Sequence, residues 1–206
     1  MLVIYLCVSQ LKTNTYTMKK ILMVAIILIA SVSVYSQEFM GIKIDGGKDL
    51  VINQFKTKGF KVSPTNDPKL NYTSMEGTVN GKSMELLICH TPTSKIVWKL
   101  IVTLPKQNTW YDLKNEYEKY KDILVKKYGQ PSDDFHFFSS PYDEGDGYEM
   151  TAVAVGKCTY SSYFTNQGNS VSIEISKWKE IDINYENEKN RLVKNKEKEA
   201  LDSKVF

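Results

Sequence analysis

After residue 36, the chain contains two cysteines and two histidines, which can act as nucleophiles, general bases or metal ligands. They are Cys89, His90, His136 and Cys158. Cys89 and His90 are adjacent, and adjacent side chains of a strand point to opposite faces, so these two do not form a thiolate–imidazole pair. None of the four has the C-x2-C or H-x3-H spacing of a zinc site. The sequence therefore predicts no catalytic residue, no metal centre and no cofactor.

Cys89 and Cys158 could instead form a disulfide, if the chain folds in an oxidising compartment. Each lies in an apolar, strand-like stretch, so two buried free thiols are the alternative. Both interpretations stay open at this point, because the separation of the two Cα atoms decides between them.

The densest group of carboxylates is a weak candidate for a cation site, formed by Asp143, Asp146 and Glu149. The segment lacks the alternating ligands of a calcium loop, so a solvated, glycine-rich connection is the simpler interpretation. The chain contains no G-x-S-x-G motif, and a hydrolase built on this sequence would have to use such loop carboxylates.

Aromatic residues are abundant, with 13 tyrosines in the chain. Five aromatic residues crowd one region that includes a predicted loop. Exposed Tyr and Phe side chains at a loop can bind a protein or a glycan, whereas the alternative is a small core beneath the loop. The candidate binding residues are Phe135, Phe137, Phe138, Tyr142 and Tyr148.

Two helices are predicted from apolar residues at helical spacing. Leu50, Val51 and Phe55 mark the first, which Gly59 ends. Asn108 or Thr109 can cap the second, and Gly129 ends it. The apolar stripe of the second helix consists of Trp110, Leu113, Tyr117, Tyr120, Leu124 and Tyr128.

Strand-like runs follow each helix. Asn80-Gly81 between two such runs predicts a hairpin, because both residues tolerate positive φ. In the next run, alternation predicts which residues face the core: Ile96, Trp98, Leu100, Val102 and Leu104. Residues 150–165 read as one long run of strand-like sequence with a break at Gly156.

The order of elements predicts an α+β fold, with helices packed on one face of an antiparallel sheet. A helix followed by about four strands occurs twice, which suggests repeats over residues 41–105 and 106–185. Together they lie within one α+β domain, residues 37–185. The charged tail, residues 186–206, is predicted to be a solvated helix or a disordered end.

Residues 18–36 have the three parts of a secretory signal peptide. Lys19 and Lys20 form a positive start, an apolar run follows, and small residues precede Gln37. Residues 1–17 are then an upstream extension without a structural role. The leader predicts a secreted or periplasmic protein that is cleaved before Gln37, with no membrane span after cleavage. No cysteine follows the apolar run closely enough to make it a lipoprotein.

Cleavage before Gln37 also changes the charge of the protein. The full chain has 27 basic and 24 acidic residues, and the leader and extension contain three lysines and no acid. The remaining chain is therefore neutral, and Arg191 is its only arginine. Nucleic acid is not an expected partner, because its recognition favours a basic surface rich in arginine.

Several short segments resemble uncharacterised secreted α+β proteins of Bacteroidetes type. They are the YSQ end of the leader, FMGIKIDG at 39–46, KYGQP at 127–131 and IDINYENEKN at 181–190. The element order is also similar to the β-lactamase inhibitor protein-like fold. The resemblance implies an exported α+β domain.

The sequence therefore favours a non-enzymatic binding module with a protein or glycan partner. Its contact surface would be the sheet face or the aromatic loop region. The alternatives are a small secreted hydrolase that uses loop carboxylates and, by analogy of fold, a protein inhibitor or envelope assembly factor.

Overall fold

The computed structural model describes residues 37–166 and 169–203. The predicted leader, residues 18–36, and the extension, residues 1–17, lie outside the described residues. The described part is α+β, with four helices and a large antiparallel sheet. The helices are α1 (Lys48–Thr57), α2 (Trp110–Tyr128), α3 (Glu149–Ala154) and α4 (Glu188–Asp202). The strands are β1 (Glu38–Phe39), β2 (Ile42–Lys43), β3 (Lys61–Val62), β4 (Tyr72–Val79), β5 (Lys82–His90), β6 (Val97–Thr103), β7 (Asp133–Phe138), β8 (Cys158–Asn166), β9 (Asn169–Ile175) and β10 (Ile181–Asn187).

Eight strands form the main sheet in the order β3-β4-β5-β6-β10-β9-β8-β7, and every neighbouring pair is antiparallel. The strands β3 to β6 and the strands β7 to β10 are thus two consecutive runs. They meet where β6 pairs with β10. The short strands β1 and β2 form a separate hairpin.

Helix α1 contributes Val51, Ile52 and Phe55 to the core. It ends before Gly59, whose φ of +93° is accessible to a residue without Cβ. Leu50 was expected on the buried face, but it is 60% exposed. Ile52 takes its place, because it lies on the buried side of the helix with Val51 and Phe55.

Helix α2 begins and ends as its sequence predicts. The Thr109 side chain accepts a hydrogen bond from the Asp112 backbone N–H, and Gly129 ends the helix with φ of +86°. Leu113, Tyr117 and Leu124 are buried. Trp110, Tyr120 and Tyr128 are partly buried against the same core.

The predicted hairpin at Asn80-Gly81 joins β4 to β5, with φ of +51° and +78° at the two residues. Behind it, Gly77 leaves room for Phe60. A Cβ built at Gly77 would lie 2.5 Å from the Phe60 ring. Only glycine allows this close approach between β4 and the residue that follows α1.

A bulge changes the predicted alternation in β6. The register shifts between Cys89 and His90, so that Lys99 pairs with Cys89 and Val97 pairs with His90. Val97 is therefore fully buried, whereas Trp98, which was predicted to face the core, is half-buried. The prediction is confirmed for Leu100, Val102 and Leu104, which are buried after the bulge.

Two further segments of the chain are helical, the second as one of its two predicted alternatives. Glu149–Ala154 is helix α3, so the predicted long strand begins only at Cys158. The charged tail forms helix α4, which the Asn187 side chain caps. Asn190 anchors this helix, because its Nδ2 donates to the backbone oxygen of Val97 at 2.7 Å.

Candidate functional site

Strand β7 places two of the predicted aromatic residues on the surface. Phe135 and Phe137 alternate with His136 along the strand, and they are 44% and 49% exposed. The Phe135 ring contacts Tyr163 of β8 edge-on, at 6.2 Å between centroids. Tyr163 is also exposed. These three residues form one aromatic patch at the edge of the sheet.

The other three predicted aromatic residues lie elsewhere. Phe138 points to the opposite face of β7 and packs edge-on against Trp110 and Tyr160. Tyr142 is half-buried in the connection after β7, and Tyr148 is 64% exposed immediately before α3. The predicted set of five is therefore divided between two faces of the sheet and a loop.

The loop carboxylates bond to their own backbone. Asp146 accepts from the backbone N–H groups of Asp143 and Tyr148, and Glu149 accepts from that of Gly145. Among the described residues, no group of three or more His, Cys, Asp or Glu side chains is arranged to hold a metal ion. Asp146 and Glu149 thus close the loop through these bonds, and a cation site at Asp143, Asp146 and Glu149 stays a prediction.

The two cysteines within the described residues, Cys89 and Cys158, are free. Four strand spacings, about 19 Å, separate β5 from β8, whereas a disulfide requires Cα atoms within about 7 Å. The register also places Cys89 and Cys158 on opposite faces of the sheet. Burial raises the pKa of Cys89 to about 11 and that of Cys158 to about 12, so neither thiol is activated at neutral pH. Of the two open interpretations, the structure has the free thiols.

The two histidines have separate surroundings. His90 is buried, and burial lowers its pKa, which disfavours the imidazolium. Its Nδ1 lies 3.0 Å from the backbone oxygen of Thr91. His136 lies on the core side of β7 and stacks on Tyr160, with 4.7 Å between the ring centroids.

A polar network surrounds His136 beneath α2. Tyr117 donates to Ser162 Oγ at 2.6 Å, and Ser162 donates to Asp134 Oδ1 at 2.6 Å. Lys121 Nζ lies 2.6 Å from Asp134 Oδ2, and His136 Nε2 lies 3.1 Å from Asp134 Oδ1. Partial burial acts to raise the pKa of Asp134, but the bonds from Lys121 and Ser162 outweigh it and lower that pKa.

This network contains serine, histidine and aspartate, but it does not have the arrangement of a hydrolase. Ser162 is fully buried, so a substrate cannot reach its Oγ. Its hydroxyl donates to the carboxylate and not to an imidazole that could take its proton. The network instead joins α2 to β7 and β8.

The face of the sheet opposite the core carries a continuous row of residues. Strand pairing places one residue from each of the eight strands directly opposite the next. Seven strand spacings give this row a length of about 34 Å. In order, its members are Lys61, Glu76, Glu85, Thr103, Asp182, Glu174, Ser161 and Phe135.

Four carboxylates dominate this row, and we call them the acidic row. They are Glu76, Glu85, Asp182 and Glu174. We name the face on which they lie the outer face. The aromatic patch lies on the same face, because Phe135 ends the row and Phe137 and Tyr163 alternate in register with it.

Each carboxylate of the acidic row accepts a hydrogen bond from a neutral side chain. Ser63 donates to Glu76 at 2.6 Å, and Ser74 donates to Glu85 at 2.8 Å. Thr103 donates to Asp182 at 2.6 Å, and Asn184 donates to Glu174 at 3.3 Å. Within the described ranges, none of the four carboxylates forms an ion pair with a Lys or Arg side chain.

The local electrostatics show that negative charge accumulates here. Burial raises the pKa of Asp182, the bond from Thr103 and the charge of Lys99 act against it, and Glu85 raises it further. Burial also raises the pKa of Glu180, and Asp182 and Glu85 add to that effect. A cation brought to this face would be stabilised by both groups.

Two open depressions flank the middle of the row. One is lined by Glu76, Glu85, Thr103 and Glu180. The other is lined by Lys99, Tyr163, Glu174, Asn184 and Glu186. The second depression is lined by polar side chains and Tyr163, whereas Met84, Leu104 and Pro105 also line the first. Because both are open to solvent, they suit side chains of a large partner better than an enclosed small molecule.

The acidic row has no motif in the sequence, because its members come from four strands that the fold brings side by side. Three of the four strands show part of this arrangement in their own sequence. In β5, β9 and β10, Glu85, Glu174 and Asp182 occupy polar positions between buried apolar residues. Only the strand order and register align them.

Comparisons of the chain with models of protein families, with curated proteins and with solved structures give no match. Within the described residues, no helix is both long enough and apolar enough to cross a membrane.

Proposed function

We propose that this protein is a secreted or periplasmic, non-enzymatic module that binds a protein partner through its outer face. The observation that supports the proposal is the acidic row. Four aligned carboxylates accept hydrogen bonds from neutral donors, and among the described residues none of them forms an ion pair with a Lys or Arg side chain. The geometry leaves them available to an external ligand.

The partner's chemistry follows from this charge. Lys or Arg side chains of a partner would pair with Glu85, Asp182 and Glu174, whereas a phosphate backbone would be repelled. Phe135, Phe137 and Tyr163 add an exposed aromatic contact at one end of the row. We therefore infer a partner whose surface combines a basic stripe with an apolar end.

The architecture is proposed to serve the same function. We infer that α1 and α2 pack on the core face only, which leaves the outer face free for contact. We also propose that residues 41–105 and 106–185 derive from one duplicated unit of a helix and four strands. The similarity to the β-lactamase inhibitor protein-like fold, and to exported Bacteroidetes-type proteins, is compatible with an inhibitor or an envelope assembly factor.

The test compares two variants with the same change in net charge. The outer-face variant carries Glu85→Gln, Asp182→Asn and Glu174→Gln. The control variant carries Asp122→Asn, Glu199→Gln and Asp202→Asn, three acids that are exposed on helices.

The first probe is a decalysine peptide, with decaglutamate as the negative probe, in titration calorimetry at two salt concentrations. We expect wild type and control to bind decalysine, and the outer-face variant to bind about tenfold more weakly, since three charge contacts are lost. Equal binding by both variants, or none by wild type, would contradict the proposed chemistry of the partner.

The second measurement uses the same three proteins as bait in envelope extract. A single stoichiometric protein that the outer-face variant fails to capture supports the proposal. Capture of a glycan would change the class of partner. Hydrolysis of a peptide or glycan that only the outer-face variant loses would replace binding by catalysis.

A further inference from the structure

Strand β7 ends the main sheet, and its second edge has no neighbouring strand among the described residues. Residues Asp133 to Phe137 are all exposed, and Phe138 is half-buried. The strand at the opposite end of the sheet, β3, has two residues, whereas β7 has six. Within the described sheet, β7 is therefore the long edge that solvent can reach.

The backbone of β7 directs alternate residues toward this edge. The Ser139 N–H donates to the Lys157 oxygen at 2.7 Å, which fixes the phase of the ladder between β7 and β8. Because bonded and non-bonded positions alternate in an antiparallel pair, the odd-numbered residues of β7 bond to β8. The N–H and C=O groups of Asp134, His136 and Phe138 point to the free edge. Such an edge is a template for another strand.

We propose that β7 is a dimerisation strand, and that its edge pairs in antiparallel orientation with β7 of a second copy of this chain. A two-fold axis at His136 brings the outward backbone groups of the two copies together. Asp134 pairs with Phe138 of the second copy, and about six backbone hydrogen bonds form. Both copies use the same surface, so the assembly closes at two chains.

The exposed aromatic rings favour this register. Phe135 of each copy lies opposite Phe137 of the other, at a non-hydrogen-bonded position where paired Cα atoms are about 4.5 Å apart. Aromatic pairs across neighbouring strands stabilise a sheet. In the single chain the two rings are exposed. Pairing covers part of this apolar surface on both copies.

Charge complementarity favours a second copy in the same register. Asp133 and Lys157 are exposed, and within the described ranges neither forms an ion pair. The pairing places Asp133 opposite Ser139 of the other copy, and Lys157 lies beside that serine. Each end of the interface thus brings an Asp133 near a Lys157. A shift of the register by two residues loses these charge pairs and both Phe135–Phe137 pairs.

The dimer also changes the outer face. Because the two-fold axis is perpendicular to the sheet, the outer faces of the two copies are continuous. The two acidic rows then flank a central aromatic patch. Dimerisation goes beyond the proposed binding and does not require it, so sedimentation and the decalysine titration can fail independently.

Sedimentation equilibrium over a dilution series tests whether the exported protein dimerises. We expect its average mass to approach twice the chain mass as concentration rises. Phe135→Lys with Phe137→Lys should self-associate at least about tenfold more weakly, because like charges then face each other across the interface. The control is Tyr111→Lys with Trp178→Lys, which changes two exposed aromatic residues outside β7 and should dimerise as wild type does. A wild type that stays monomeric, or a β7 variant that dimerises like the control, would overturn the inference.

Disulfide trapping tests the register. The single variants Phe135→Cys and Phe137→Cys are oxidised separately and as a mixture. Position 135 lies about 4.5 Å from position 137 of the second copy but about 8 Å from its own equivalent, which is too far for a disulfide. We expect a covalent dimer from the mixture only, and none from wild type, which has only Cys89 and Cys158 among its described residues. Equal trapping of either variant alone would contradict the register, and no trapping in the mixture would contradict the strand pairing.

Discussion

Asp182 has the most unusual surroundings among the four carboxylates of the acidic row. It lies in the middle of the sheet between Thr103 and Glu174. Thr103 donates to it, yet burial still raises its pKa. A carboxylate retained under such conditions lowers stability at neutral pH, which is common where a charge serves binding.

Replacing Asp182 by Asn should therefore stabilise the protein at neutral pH. Since its pKa is higher in the folded than in the unfolded state, the free energy of unfolding falls as the pH rises through the interval between the two values. The Asp182→Asn variant has no carboxylate at this position, so its free energy of unfolding does not fall in this way. We expect its thermal midpoint to exceed that of wild type at pH 7, and the difference to shrink toward about pH 3, where the acid is protonated in both states. Asp122→Asn, at an exposed position, serves as the control. A lower midpoint for Asp182→Asn at pH 7 would contradict this account.

At the scale of elements, close contact between β4 and the segment after α1 depends on Gly77. Phe60 is fully buried and packs edge-on against Phe55 of α1, with 5.8 Å between ring centroids. The Phe60 ring occupies the space where a side chain at position 77 would begin. Because an aromatic ring in a dense core cannot easily shift, β4 and α1 are coupled through this position.

Gly77→Ala should destabilise the protein by about 1 to 3 kcal/mol, since overpacking forces the ring or the strand to move. Gly47→Ala is the matched control. A Cβ there meets nothing within 4 Å, and its φ of −63° suits alanine. The change at this helix N-cap should cost less than Gly77→Ala, about 0.5 kcal/mol, because glycine is a better N-cap residue than alanine. Urea unfolding measures the free energy of unfolding of both variants. Equal losses would show that the contact with Phe60 does not determine the effect of Gly77→Ala.

The elements that the sequence predicts well carry local signals. Thr109, Gly129 and Asn80-Gly81 each determine a cap or a turn within a few residues. Helix α3 is less visible, because Glu149–Ala154 is a short apolar run that suits a strand equally well. The bulge at Val97 depends on pairing with β5. The acidic row depends on pairing across the whole sheet, so no local pattern could reveal it.

At the scale of the molecule, stability does not depend on a covalent crosslink between the two strand runs. Cys89 lies on β5 in the first run and Cys158 on β8 in the second, and both are free. The runs are joined by β6–β10 pairing and by one shared core. A domain of this length can bury enough apolar surface without disulfides.

We therefore expect a reductant to leave the unfolding midpoint of the exported protein unchanged. Both thiols have raised pKa values, so alkylation by iodoacetamide at pH 8 should be at least about tenfold slower in the native than in the unfolded protein. Mass spectrometry of the labelled chains measures this. A midpoint that falls on reduction would show a disulfide that the folded sheet does not accommodate.

The pairing of β6 with β10 also determines when the sheet can be completed. Val102 lies opposite Ile183, and the whole second run of strands separates them along the chain. Closing so long a loop is entropically costly, and contacts between distant segments form slowly. β6 and β10 therefore cannot pair until β10, the final strand, is present. For a chain that crosses a membrane unfolded, as proposed here, this late closure would keep the polypeptide competent for translocation until its last strand has passed.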